Sequence, residues 1–211
     1  MLRLLVKPDR PDRKAFAPAI EALQSGSVVA FPTDTLYGLA VDPRNATAVQ
    51  GLFDMKQRAP DRAIPLIAAD YAQVVTEFGT LSPAADRLAR AFWPGPLSLV
   101  MAAGSSLAPA VHGGTNHVAV RVPGHAVARM LASLMGCPLT ASSANVSGLA
   151  PTKEPDAVAT ALGHSIAVLI DAGPCPGGQP STIVDVTMSP PRLIRAGAVP
   201  WERVLRCLNE Q

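Results

Sequence analysis

The apolar residues of this chain come in short bursts, SVVAF at 27–31 and LSLVMAA at 97–103 among them, each cut off by proline, glycine or charge. Bursts of that length fit buried strands or single helix faces, and none approaches the roughly 20 apolar residues that a bilayer-spanning helix needs. A chain of 211 residues, 48% of them hydrophobic, can bury a sizeable core within one large domain, expected to span 1–211. The N-terminal stretch MLRLLVKPDR has no signal-peptide h-region, so a cytoplasmic protein without a membrane partner is expected. Cys137, Cys175 and Cys207 are odd in number and scattered, which favours reduced thiols over a disulfide framework or a zinc site.

Helical and strand patterns alternate irregularly along the chain. RKAFAPAIEALQ (13–24) has helical spacing and ends at Ser25-Gly26. SVVAF then reads as a buried strand, ATAVQGLFDMKQR (46–58) as an amphipathic helix and IPLIAA (64–69) as a strand. SPAADRLARAFW (82–93) places Ser82 at an N-cap with Pro83 behind it. HVAVRVP (117–123) alternates so that Val118 and Val120 share one face, and HAVARMLASLM (125–135) is helical. Beyond PLTASSANVSG come a helix at EPDAVATALG, strands at IAVLID, STIVDV and PRLIRAG, a Gly/Pro-rich loop at 172–180, and a last helix from Pro200. This irregular alternation predicts an α/β (α+β) fold on a mixed sheet rather than a doubly wound parallel one.

Polar groups gather where apolar runs end. FPTDTLYGLA (31–40) puts two hydroxyls, a carboxylate and a phenol within five residues, in a chain with only two tyrosines. An Asp/Thr-stabilised turn accounts for such residues as readily as a site does. The KQR that ends the 46–58 segment reads equally as helix-terminal cations favoured by the dipole. Arg121, in the middle of an apolar strand, must send its guanidinium to a carboxylate, a ligand or the sheet rim, since burying it unpaired is costly. No GxxxxGK[ST] loop, GxGxxG, GxSxG or HExxH is present, and the four histidines show no ligand spacing, so no metal site is expected. Net charge is only +2, but the cations are 14 Arg against 4 Lys, and guanidinium forks suit carboxylate and phosphate.

Taken in order, SGSVVAFPTDTLYGLAVD, KQR, WPGPLSLV, VAVRVP, PLTASSANVSG, STIVD and RAG resemble the YrdC-like (TsaC-type) family of L-threonylcarbamoyladenylate synthases over roughly residues 14–200. The resemblance implies a twisted mixed β-sheet flanked by helices around a large basic concave cavity, in the short single-domain form. It implies formation of threonylcarbamoyl-AMP and pyrophosphate from L-threonine, bicarbonate and ATP, the carbamoyl then passing through partner proteins to adenosine 37 of tRNA (t6A). Carried over residue by residue, Thr35, Arg121 and Ser181 face threonine, with Thr33 and Tyr37 shaping the pocket. Lys56, Arg58, Ser143 and Asn145 form the phosphate cradle, and Arg58, Arg62, His117, Ser143 and Arg195 contact ATP. ATP arrives with Mg²⁺ as a substrate, and no tightly bound cofactor is implied. Ala59, Ala63-Ile64, Ile67 and His117 depart from the common family pattern, Ile67 standing where some relatives carry histidine. The alternatives are a non-enzymatic RNA-binding module of the same fold and a related carbamoyl-transfer protein. Scarce aromatics argue against the first, and the lack of zinc-finger-like segments against the second.

Overall fold

The computed structural model describes residues 1–57, 63–146 and 148–209. In chain order, β1 (Leu2–Leu5), α1 (Ala17–Gln24), β2 (Val29–Phe31), β3 (Gly38–Ala40), α2 (Ala46–Lys56), β4 (Leu66–Ile67), α3 (Tyr71–Phe78) and α4 (Pro83–Phe92) build the first half. The second half is β5 (Leu97–Ala102), β6 (His117–Arg121), α5 (Ala126–Met135), β7 (Leu139–Thr140), β8 (Ser142–Ser143), α6 (Pro155–Leu162), β9 (Val168–Asp171), β10 (Thr182–Asp185), β11 (Arg192–Arg195) and α7 (Trp201–Asn209). The helix ends follow the chain's chemistry. Ser82 accepts the Ala85 amide at the start of α4, Asn45 the Ala48 amide at α2 and Asp70 the Gln73 amide at α3. Helix α2 stops at Lys56, two residues before its predicted end, because Gln57 turns left-handed at φ 45°.

The strands form two mixed sheets rather than one, ordered β1-β9-β2-β3-β8 and β11-β10-β5-β6-β4-β7. One short segment joins them. Leu139 and Thr140 pair with Ile67 and Leu66 in the six-stranded sheet, and after Ala141 the next two residues pair with Leu39 and Gly38 in the five-stranded sheet. Buried Thr140 reinforces the crossing, its hydroxyl accepting the Val41 amide at 2.8 Å and its own amide donating to the Val41 carbonyl at 3.2 Å. The predicted strand at 64–69 is accordingly only Leu66–Ile67, since Pro65 lacks the N–H a ladder needs. Edge strand β1 was not foreseen. Leu2 and Leu5 are exposed, and the strand exists through its parallel pairing with β9.

Period-two alternation divides the six-stranded sheet into two faces. Leu97, Leu99, Val118, Val120 and Val184 point into the main core, where Leu88 of α4 and Val204 of α7 also lie buried. Their neighbours Ser98, Val100, Ala119, Arg121, Ile183 and Asp185 point the other way, into a cavity. A second apolar cluster, with Phe16, Leu23, Phe31, Val127, Leu131 and Ile170, packs α1 and α5 around β2 and β9 of the five-stranded sheet.

Candidate active site

The PTDTLY segment is the connection between β2 and β3, whose pairing sets Phe31 opposite Gly38. A Cβ on Gly38 would come within 3.0 Å of the Phe31 ring, so the ring lies over the glycine and the chain can reverse there. Inside the connection, Thr33 Oγ1 accepts the Thr35 and Leu36 amides at 3.1 and 3.2 Å, donates to the Leu36 carbonyl at 2.7 Å, and stands 3.0 Å from Thr35 Oγ1. The hydroxyl turn predicted from the sequence is therefore present, and it holds both threonines at the wall of the cavity. Tyr37 is buried and donates to the Gly173 carbonyl at 2.8 Å, while the Gly177 amide donates to the Thr35 carbonyl at 3.0 Å. The 172–180 loop thus braces the turn from behind. Burial, reinforced by nearby Cys175 and Asp171, pushes the Tyr37 phenol well above its ordinary range, so it stays a neutral donor.

The cavity encloses about 980 Å³. Its wall includes Thr33, Thr35, Tyr37, His117, Arg121, Ser143, Ser181 and Arg195, eight of the twelve residues singled out from the sequence. Two others, Lys56 and Asn145, sit just outside the wall. The buried Lys56 ammonium donates to the Ser143 carbonyl at 2.9 Å, to Asn145 Oδ1 at 2.8 Å, and to the Asn145 carbonyl. Asn145 Oδ1 also accepts from Ser143 Oγ at 2.6 Å. Lys56 and Asn145 together fix the loop that presents Ser143. Arg58 and Arg62 lie outside the described residues, as does Ser147 of the same loop.

Arg121 ends β6 with only 9% of its side chain exposed, and its Nη1 donates to Asp34 Oδ1 at 3.1 Å. Desolvation pulls the guanidinium below its ordinary value, and the Asp34 charge opposes that pull. Arg195, on edge strand β11, donates through Nε and Nη2 to the Ser181 carbonyl at 3.1 and 2.8 Å, and through Nη2 to Ser181 Oγ at 3.1 Å. Its own depression comes first from desolvation and then from the positive field of Arg121, so two cations act on one space. Ser181 Oγ in turn lies 3.0 Å from Ser98 Oγ. The sequence reading did not single out Ser98, and it gave Asp34 and Asp185, noted only within PTDT and STIVD, no role of their own. The signal for Ser98 and Asp185 was strand alternation, which sets each on the face opposite the core valines and leucines. Asp185 accepts from Thr187 and pairs with Arg192 at 3.7 Å.

Comparison with known proteins fixes the lineage. The model of the Sua5, YciO and YrdC family, described as telomere recombination, matches residues 21–197. The chain belongs to the Sua5/YciO/YrdC family. Among its curated members, a threonylcarbamoyl-AMP synthase of Vibrio vulnificus is 38% identical over 180 residues, covering 84% of this chain and 96% of that one. A threonylcarbamoyl-AMP synthase of Pyrococcus abyssi is 35% identical over 188 residues, covering 89% of this chain but only 55% of the longer archaeal protein. Pyrococcus abyssi Sua5, solved in complex with L-threonine, superposes with a TM-score of 0.93 at 33% identity, over 100% of this chain and 62% of that one. The Sua5/YciO/YrdC fold is therefore that of the described residues, and the cavity between its two sheets is the place to look for chemistry.

Proposed function

We propose that this chain is a threonylcarbamoyl-AMP synthase. The reading rests on one observation: Thr33, Thr35, Arg121, Ser143, Ser181 and Arg195, from well-separated stretches of sequence, converge on a single cavity large enough for an amino acid and a nucleotide. It is supported by the activity named for the relatives and by the threonine bound to the archaeal protein.

In the reaction the threonine amine adds to bicarbonate with loss of water, and the resulting carbamate oxygen attacks the α-phosphorus of ATP, expelling pyrophosphate. Nothing in the chain needs to become covalently attached. Positioning and charge neutralisation supply the barrier reduction. Arg121 takes the threonine carboxylate, a bidentate match for a guanidinium, with Thr35 and Ser181 beside it. Thr33 and Tyr37 shape that end of the pocket. Ser143, presented by Lys56 and Asn145, holds phosphate oxygens, and Arg195 and His117 face the nucleotide. Arg58 and Arg62 complete the phosphate cradle on the strength of the family resemblance. Mg²⁺ travels with ATP, held mainly through phosphate and water. The apolar cavity walls of Leu66, Ile67, Val100, Ile183 and Ile194 limit the water that would hydrolyse a carbamate.

The product passes to proteins that transfer the carbamoyl to tRNA, with weak RNA contact and a cytoplasmic location. No helix among the described residues is long and apolar enough to cross a membrane. The test is incubation of the purified protein with ATP, labelled bicarbonate and L-threonine. Labelled adenylate and pyrophosphate that both depend on threonine are expected. Tight RNA binding with neither product above background would overturn the reading.

A further inference from the structure

Asp34 sits between Thr33 and Thr35 in the PTDT turn but, unlike them, does not line the cavity. It reaches Arg121 from outside, through Oδ1, while Oδ2 is buried and has no hydrogen-bond partner among the described residues. The contact uses one of the five N–H donors of the guanidinium, and no other hydrogen bond from that guanidinium is present among the described residues. A guanidinium held at one amino group keeps its remaining edge for a second planar anion, and its plane is fixed before that anion arrives.

The approach depends on Gly124, three residues beyond Arg121 at the turn into α5. A Cβ there would stand 3.2 Å from Asp34 Oδ2 and 3.3 Å from Asp34 Cβ, closer than side-chain packing normally allows. The glycine lets the carboxylate settle against the turn and reach back to Arg121. Turn and strand come from distant parts of the chain and belong to different sheets.

The geometry points to Asp34 as the positioning residue that fixes the Arg121 guanidinium for the carboxylate of threonine, with Gly124 as the backing that lets it do so. This rests on the synthase reading above. Three variants separate its parts. Asp34→Ala removes both charge and acceptor. Asp34→Asn keeps an acceptor but drops the charge. Gly124→Ala leaves every charge in place and displaces Asp34 by a few tenths of an ångström.

Steady-state pyrophosphate release, with threonine and ATP varied in turn, reads the outcome. Loss of a charge-assisted bond predicts a threonine KM raised about tenfold in Asp34→Ala, with the ATP KM within about twofold of wild type. Asp34→Asn and Gly124→Ala give smaller rises, about threefold, again confined to threonine. A general loss of structure would move both constants together. An unchanged threonine KM in Asp34→Ala and Gly124→Ala, or a parallel rise in both constants, overturns the inference and leaves the synthase reading standing. Where Asp34→Ala does not fold, Gly124→Ala decides alone. A wild-type protein without threonine-dependent turnover removes the reading and this inference with it.

Discussion

Arg121 and Arg195 line the same cavity, yet the fold treats them in opposite ways. Arg121 closes a central strand, is almost wholly buried and has a carboxylate partner. Arg195 closes an edge strand, is exposed, and leans on the Ser181 carbonyl with no ion pair among the described residues. A buried cation needs fixed polar partners, so its geometry is set in advance, whereas a cation on an exposed edge strand, only partly desolvated and held to one serine, is less tightly constrained. The cavity therefore has a preorganised end and an adaptable end. On the proposed synthase reading, the preorganised end takes threonine, held in one pose, and the adaptable end takes the larger, polyanionic ATP.

The sharpest way to break this contrast is Arg121→Ala, which strands Asp34 without its cation. We expect a loss of about 2–3 kcal/mol in chemical denaturation and a fall in kcat/KM for threonine on the order of a hundredfold. Arg121→Lys should not restore activity, because an ammonium lacks the fork. Next comes Lys56→Ala. It removes a buried ammonium from two carbonyls and an amide oxygen, at a cost of about 2 kcal/mol in stability, and the kcat loss should match that of Ser143→Ala if Lys56 acts by placing Ser143.

Tyr37→Phe leaves the Gly173 carbonyl without its phenol donor, and about 1 kcal/mol should be lost on thermal or denaturant unfolding. A pH effect should follow from His125. Its Nδ1 accepts the Val127 amide at the start of α5, and burial holds the ring below its ordinary 6.5 despite the nearby Asp34 charge. The folded state binds that proton less well than the unfolded chain. The stabilisation is therefore complete above pH 6.5 and drains away as pH falls below it. The melting temperature should drop on acidification through that window, and His125→Asn, which keeps a capping acceptor, should flatten the slope. The smallest stability change belongs to Arg195→Ala. A shift of no more than about 0.5 kcal/mol is expected, together with a few-fold, salt-sensitive rise in the KM for ATP. A large destabilisation there would erase the distinction between the two ends.

Much of this was legible in the sequence, for reasons that are local. The Ser82 cap, the end of α1 at Ser25-Gly26 and the split of HVAVR into a valine face and an Ala-Arg face follow from capping chemistry and period-two geometry, which act within a few residues. The turn at PTDT was legible too, since the Thr33 hydroxyl bonds its own neighbours. Strands β1 and β3 were not. Each is three or four residues long: β1 exists through pairing with distant β9, and β3, set between nearby β2 and distant β8, contains a glycine that weakens any local signal.

The residue types in PTDTLY, the lone arginine in an apolar strand and the small polar run SSAN were enough to predict polar groups gathered where apolar runs end, on an α/β scaffold. Tertiary structure alone decided what those groups do to one another. It set the crossing at Ala141 that joins two sheets into one cavity, turned Lys56 toward the Ser143–Asn145 loop, and brought Asp34 onto Arg121. Local sequence encodes dihedral preference and polarity, which reach over one or two turns of chain. Which carboxylate neutralises a buried guanidinium depends on sheet register and crossover, and these are selected only when the whole core closes.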